Sequence, residues 1–152
     1  MTRPIIAIDP GAAGGIAWTD RDGEAHAEPM PSGMTAQADL LRSLVASLPG
    51  AVAVLEKVGG YMPGNSGPAA CTFARHCGHL EAALYLLGVP SEQVAPGVWM
   101  KEALGALPSE KPERKRAIRE AMARRYPALA VTMKTADALG ILTWATERGA
   151  IR

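Results

Sequence analysis

The chain has 152 residues, 48% of them hydrophobic and 20% charged, with a net charge of +1. This length suits one domain over residues 1–152 with a core of its own, and the composition excludes a disordered or fibrous chain. No apolar run approaches the roughly 20 residues that cross a bilayer, and the N-terminus lacks the features of a secretory leader, so a cytoplasmic protein without a membrane partner is expected.

The elements read in order as follows. Residues 4–9 form a short apolar strand, and Pro10-Gly11 turns the chain. Residues 14–18 and 24–29 form two further strands around the Asp22-Gly23 turn, giving a meander. Leu40, Leu41, Leu44, Val45 and Leu48 fall at helical spacing over 35–48, and Pro49-Gly50 ends that helix. Residues 51–56 are a second buried strand, parallel to the first because a helix separates them. A glycine- and proline-rich loop covers 59–68. A helix over 69–87 carries Phe73, Cys77, Leu80, Leu84 and Leu87 along one seam, which suits packing on the sheet or a dimer interface. A short strand at 92–95 and a short helix at 97–104 follow. A basic helix opens at Ser109 or Lys111 with Pro112 in its first turn, and a last helix over 136–148 has Thr135 as its N-cap. Three meandering strands, then α-β-α-β, then helices, predict an α/β fold: a mixed sheet with helices on both faces.

Three carboxylates stand where structure alone gives them little reason to be. Asp9 ends the run Ile5-Ile6-Ala7-Ile8, and Glu56 ends the run Val52-Ala53-Val54-Leu55. Strands this apolar belong in the middle of a sheet, and parallel neighbours deliver both acids to one edge, where such sheets bind ligands. Asp9 before Pro10-Gly11 also suits a plain turn. Glutamate is a poor strand residue and has no turn role at 56. Asp137 shares a helical face with Ile141, Trp144 and Arg148. An acid in a first helical turn favours the dipole, but a carboxylate aimed at the core needs a partner. A shared Mg²⁺ or Mn²⁺ ion supplies one to all three acids, and two such ions can drive phosphodiester hydrolysis in line. Lys134, one turn before Asp137, is placed to orient or protonate a substrate, or is an exposed loop lysine.

Charge is unevenly spread. Residues 1–100 hold 5 basic and 9 acidic side chains, whereas 101–152 hold 11 basic and 6 acidic. Seven basic residues fall within 111–125 against two acidic ones. A basic helix beside an acidic cluster suits a polyanion lying across a metal site, or a solvated helix face. Cys71 and Cys77 lie about 240° apart round a helix, so they face different sides. With His76 and His79 they match no common zinc spacing, and reduced thiols are the expectation.

The motifs Ile6-Ala7-Ile8-Asp9-Pro10-Gly11, Val54-Leu55-Glu56-Lys57-Val58 and Ala136-Asp137-Ala138-Leu139 resemble, in order and spacing, those of RuvC-type Holliday-junction resolvases, which have the RNase H-like fold. Phe73-Ala74-Arg75-His76-Cys77-Gly78-His79-Leu80-Glu81 and Val94-Ala95-Pro96-Gly97-Val98-Trp99-Met100-Lys101 are similar to stretches of its phage and prophage branch. The resemblance implies a five-stranded mixed sheet, three strands antiparallel and the rest parallel. It implies a homodimer that nicks a four-way DNA junction in paired, symmetric fashion, with Mg²⁺ or Mn²⁺ on Asp9, Glu56 and Asp137. Lys111 would then lie near the scissile phosphate, and the loop Gly59-Gly60-Tyr61-Met62 would enter the junction, with Tyr61 stacking on a base. Lys57, Arg75, Lys115, Arg116 and Arg119 complete the candidate DNA contacts. One departure stands out: the family usually has Asp or His where this chain has Lys134, and a protonated lysine cannot ligate a metal.

Three other readings have some footing. Relatives of this fold cut other branched DNA or structured RNA, because the fold reads shape and backbone. Asp9-Pro10-Gly11-Ala12-Ala13-Gly14-Gly15 also looks like the phosphate loop of actin-like ATPases, which need two such domains. Lys134 raises the third, a protein that binds junctions without cutting them.

Overall fold

The protein is seen here as a computed structural model that describes residues 3–59, 64 and 66–149. The first apolar run forms β1 (Ile5–Asp9), followed by β2 (Gly15–Thr19) and β3 (Ala25–Pro29). Helix α1 (Met34–Ser47) leads to β4 (Val52–Glu56), and α2 (Gly67–Leu86) leads to β5 (Ser91–Val94). Three helices complete the chain: α3 (Pro96–Leu104), α4 (Lys111–Arg125) and α5 (Ala136–Arg148). Among the described residues no helix is long and apolar enough to cross a membrane.

The sheet order is β3-β2-β1-β4-β5. The meander is antiparallel, while β4 runs parallel to both β1 and β5. This is the mixed sheet expected from the sequence, with the two most apolar strands, β1 and β4, side by side in its centre. The pleat sends alternate side chains to opposite faces. Ile5, Ala7, Val52 and Val54 pack under α3, α4 and α5, and Ile6, Ile8, Ala53 and Leu55 pack under α1 and α2.

Close backbone approach shapes the edge where β1 ends. A Cβ on Gly14 would lie 2.1 Å from the Asp9 carbonyl oxygen, and one on Gly15 would lie 2.5 Å from that of Lys134. Two glycines are therefore required for β2 to start directly against the end of β1 and the approach to α5. Gly14 N–H donates to the Gly11 carbonyl at 3.0 Å, which closes the turn.

Two local expectations change. Thr135 sits at the N-cap of α5, but its hydroxyl caps nothing; it accepts from the Thr132 N–H at 3.0 Å and holds a turn ahead of the helix. The apolar stripe read for α5 is in fact a helix buried on every side from Ala136 to Ala145, because α5 is wedged between the sheet and α3 and α4. Arg148 leaves that core and lies over the Trp144 ring, 4.9 Å from its centroid.

Candidate active site at the carboxyl edge of the sheet

The pleat and the register decide how the acids meet. Asp9 follows Ile5 and Ala7 on the α5 side of the sheet, and Glu56 follows Val52 and Val54 on the same side. Ile8 lies beside Leu55 in the parallel pairing, so one further residue sets Asp9 beside Glu56. Asp137 enters from the first turn of α5. All three line one cavity of about 190 Å³, closed by Met100 of α3 and by Lys111, Arg114, Lys115 and Ile118 of α4.

Asp9 and Asp137 are only 9% and 7% exposed. Burial, then the fields of Asp137 and Glu56, push the Asp9 carboxyl up to about 8, against the pull of Lys115. Burial also raises the Glu56 carboxyl, opposed by a hydrogen bond from the Trp99 indole N–H to Glu56 Oε2 at 2.7 Å. Lys115 Nζ lies 2.9 Å from Asp137 Oδ2. Burial works against the charge on Lys115, but the Asp137 bond and the three carboxylate fields outweigh it and hold its pKa above the ordinary lysine value.

An all-oxygen donor set of three carboxylates in one cavity, with Lys115 paired to one of them, fits a hard divalent cation. Among the described residues, however, no three acidic, histidine or cysteine side chains already stand close enough together to hold an ion. The acids share a cavity without forming a finished ligand cage, and Lys115 is the cation that answers them in this structure. Cys71 and Cys77 are free thiols, exposed and half-buried respectively on α2.

The other candidate residues scatter. Lys134 was expected at the acidic edge, but it is exposed and lines a separate cavity of about 670 Å³ with Gly11, Met30, Phe73 and His76. The turn from Thr132 to Thr135 carries it toward α1 and α2, while α4 brings Lys115 to the acids. Lys111 lines the cavity of the three acids. Lys57 is exposed just past β4, with its backbone N–H donating to the Val94 carbonyl. Arg75 is exposed on α2, and Arg116 and Arg119 are exposed on α4 outside the cavity lining. Tyr61 lies outside the described residues, as do Gly60 and Met62 of its loop.

The sequence reading missed Arg114, Ile118, Met100 and Trp99. Lys111, Arg114, Lys115 and Ile118 repeat at i, i+3, i+4 and i+7, so the helical period could have found the first two. Trp99 lies in a motif noted only as a likeness, and its bond to Glu56 spans 43 positions.

No protein-family model matches the chain, and no curated protein matches it. Among the solved structures that share its fold are two of one protein. RuvC of Thermus thermophilus superposes with a TM-score of 0.64 at 17% identity, covering 97% of each chain. The same protein in complex with a Holliday junction substrate gives 0.63 at 16% identity, covering 95% of this chain and 93% of that one. The five-stranded sheet, its order and its flanking helices are therefore those of the RuvC fold, an RNase H-like architecture.

Proposed function

We propose that this chain is a divalent-metal-dependent endonuclease that resolves four-way DNA junctions by paired, symmetric phosphodiester hydrolysis. The observation that carries the reading is the meeting of Asp9, Glu56 and Asp137 in one cavity walled by the basic helix α4. Likeness in fold to a structure solved with a Holliday junction supports that substrate class. Asp9, Glu56 and Asp137 would hold Mg²⁺ or Mn²⁺. When bound, such an ion polarises a phosphoryl oxygen and lowers the pKa of an attacking water.

The chain's own groups do the rest. Lys111 and Arg114, on the α4 wall, bind phosphate oxygens next to the scissile bond. Arg116, Arg119 and Lys57 extend that positive track, Arg75 serves the strand on the α2 side, and Tyr61 is the residue proposed to stack on a base. Lys115 orients Asp137 and offsets part of the acidic field that would repel DNA. Met100 and Ile118 give the cavity an apolar wall that limits water.

Paired nicks require two sites related by symmetry. In the seam once considered for a dimer, Leu80 and Leu84 are fully buried in this chain's own core. The outer face of α2 carries Ala74, Gly78 and Ala82 beside Tyr85 and Leu86, which are 83% and 82% exposed. That face is the one we assign to the homodimer. The reading includes a cytoplasmic location in a bacterial host cell and, from the motif likeness alone, a phage or prophage origin.

A second reading, a junction-binding protein with weak or no cleavage, is favoured by the Lys115 cation already on the acids. A labelled four-way junction incubated with Mg²⁺ or Mn²⁺ separates the two, with wild type set against Asp9→Asn. Nicks that vanish in the variant support the nuclease. Junction binding without nicks from either protein supports the binder. Faster cutting of flaps or double-stranded RNA in parallel reactions moves the substrate class instead.

A further inference from the structure

Trp99 has no exposed surface, yet it is tied to the one acid of the site that comes from β4. A buried indole N–H needs an acceptor, and here the acceptor is Glu56 Oε2 at 2.7 Å. The far edge of the same ring rests on α5. A Cβ at position 140 would stand 2.4 Å from Trp99 Cζ3, so only glycine leaves room for it. Gly140 lies three residues after Asp137 on that helix.

The second tryptophan of this region makes a useful contrast. The Trp144 N–H donates to Glu102 Oε2 at 2.6 Å, but Glu102 is exposed and outside the carboxylate cavity. That bond satisfies an indole and nothing more. Glu56 lines the cavity, and its flexible side chain would otherwise sample several rotamers. One oxygen held by Trp99 leaves the other, Oε1, for a ligand.

We infer that Trp99 is a positioning residue: its indole N–H holds Glu56 in the rotamer that presents one oxygen to a divalent ion, and its ring, seated on Gly140, ties that oxygen to the helix carrying Asp137. This role rests on the metal-dependent reading of the site. It reaches the reaction only through Glu56.

The test is Trp99→Phe, which keeps an aromatic ring and deletes the donor. Mn²⁺ affinity, measured by calorimetry on DNA-free protein, is expected to weaken roughly ten-fold or more, the scale of one hydrogen bond to a charged group. Cleavage should then need correspondingly more Mg²⁺ while KM for the junction stays put, a split that a general loss of structure would not give. In wild type, the Trp99 indole N–H resonance, identified by substituting Trp18 and Trp144, should move when Mg²⁺ is added, while the other two hold still. Wild-type Mn²⁺ affinity in Trp99→Phe, or an unmoved Trp99 resonance, overturns the inference. Should Trp99→Phe fail to fold, the wild-type resonance decides alone. A wild-type protein that binds Mn²⁺ with Trp99 responding, yet never nicks a junction, defeats the nuclease reading and leaves this inference standing. One that binds no Mn²⁺ defeats both.

Discussion

Lys115 Nζ on α4 lies 2.9 Å from Asp137 Oδ2 on α5, joining the most basic segment of the chain to its most buried cluster of acids. Through this contact the charge asymmetry of the sequence acquires a place in the fold. It also makes Lys115, rather than Lys134, the lysine whose removal should be felt at the site.

Lys115→Gln is expected to lower junction cleavage about 10–100-fold, the usual loss when the partner that orients a metal-holding side chain is removed. Single-turnover rates on a labelled junction measure it, with Lys134→Gln as the comparison that stays within a few-fold of wild type. In chelator, Lys115→Gln should also lose about 1–2 kcal/mol of stability by urea melts. A fully buried pair would lose more, but the Lys115 side chain is 36% exposed and solvent screens it. Equal rates for the Lys115 variant and wild type would remove Lys115 from the reaction.

Asp9 is expected to make the main contribution to the pH dependence of the metal-free protein, with Glu56, whose carboxyl is also raised by burial, adding in the same direction. The Asp9 carboxyl is raised from 3.8 to about 8, first by burial and then by the neighbouring acids. Between those values the folded state binds the proton and the unfolded chain has released it. Stability should therefore fall as pH rises from about 4 to about 8 and level off above. Asp9→Asn removes most of that slope. Added Mg²⁺, which competes with the proton, should raise the melting temperature more at pH 8 than at pH 5. Thermal melts across pH, with chelator and with Mg²⁺, check both; an unchanged slope in Asp9→Asn would locate the titration elsewhere.

Gly140→Ala reverses the usual sign of a helix substitution. Inside an ordinary helix, alanine for glycine adds about 0.5–1 kcal/mol. Here the new Cβ meets the Trp99 ring at 2.4 Å, and overpacking of this kind costs roughly 1–3 kcal/mol. Urea unfolding should show net destabilisation. Gly78→Ala, where a Cβ meets nothing within 4 Å, should not be destabilised within a single chain.

The outer face of α2 gives the test of assembly. Tyr85→Glu combined with Leu86→Glu alters two side chains that are more than four-fifths exposed, so the fold of one chain should be untouched. Sedimentation equilibrium is expected to show a dimer for wild type and a monomer for the double variant, and paired nicks should become single, uncoupled ones. A wild type that stays monomeric with and without junction DNA would rule out this assembly.

Much of the architecture was legible because it is local. Apolar runs of four residues ended by an acid, the Pro-Gly and Asp-Gly turns, and the 3.6-residue period marked all ten elements to within a few positions. Parallel pairing of two apolar strands put Asp9 and Glu56 at one edge of the sheet, and the pleat then set them on the same face. Thr135 stands at the N-cap of α5 as read, but its hydroxyl serves the preceding turn in place of the helix, a choice the chain does not display.

Sequence alone determined which segments are strands and helices and that Asp9 and Glu56 share an edge, since backbone period and strand pairing act over short distances. Tertiary packing decided the partners. The docking of α4 and α5 on the sheet selects Lys115 over Lys134, that of α3 brings Trp99 to Glu56, and both are set by side chains interlocking across the whole core.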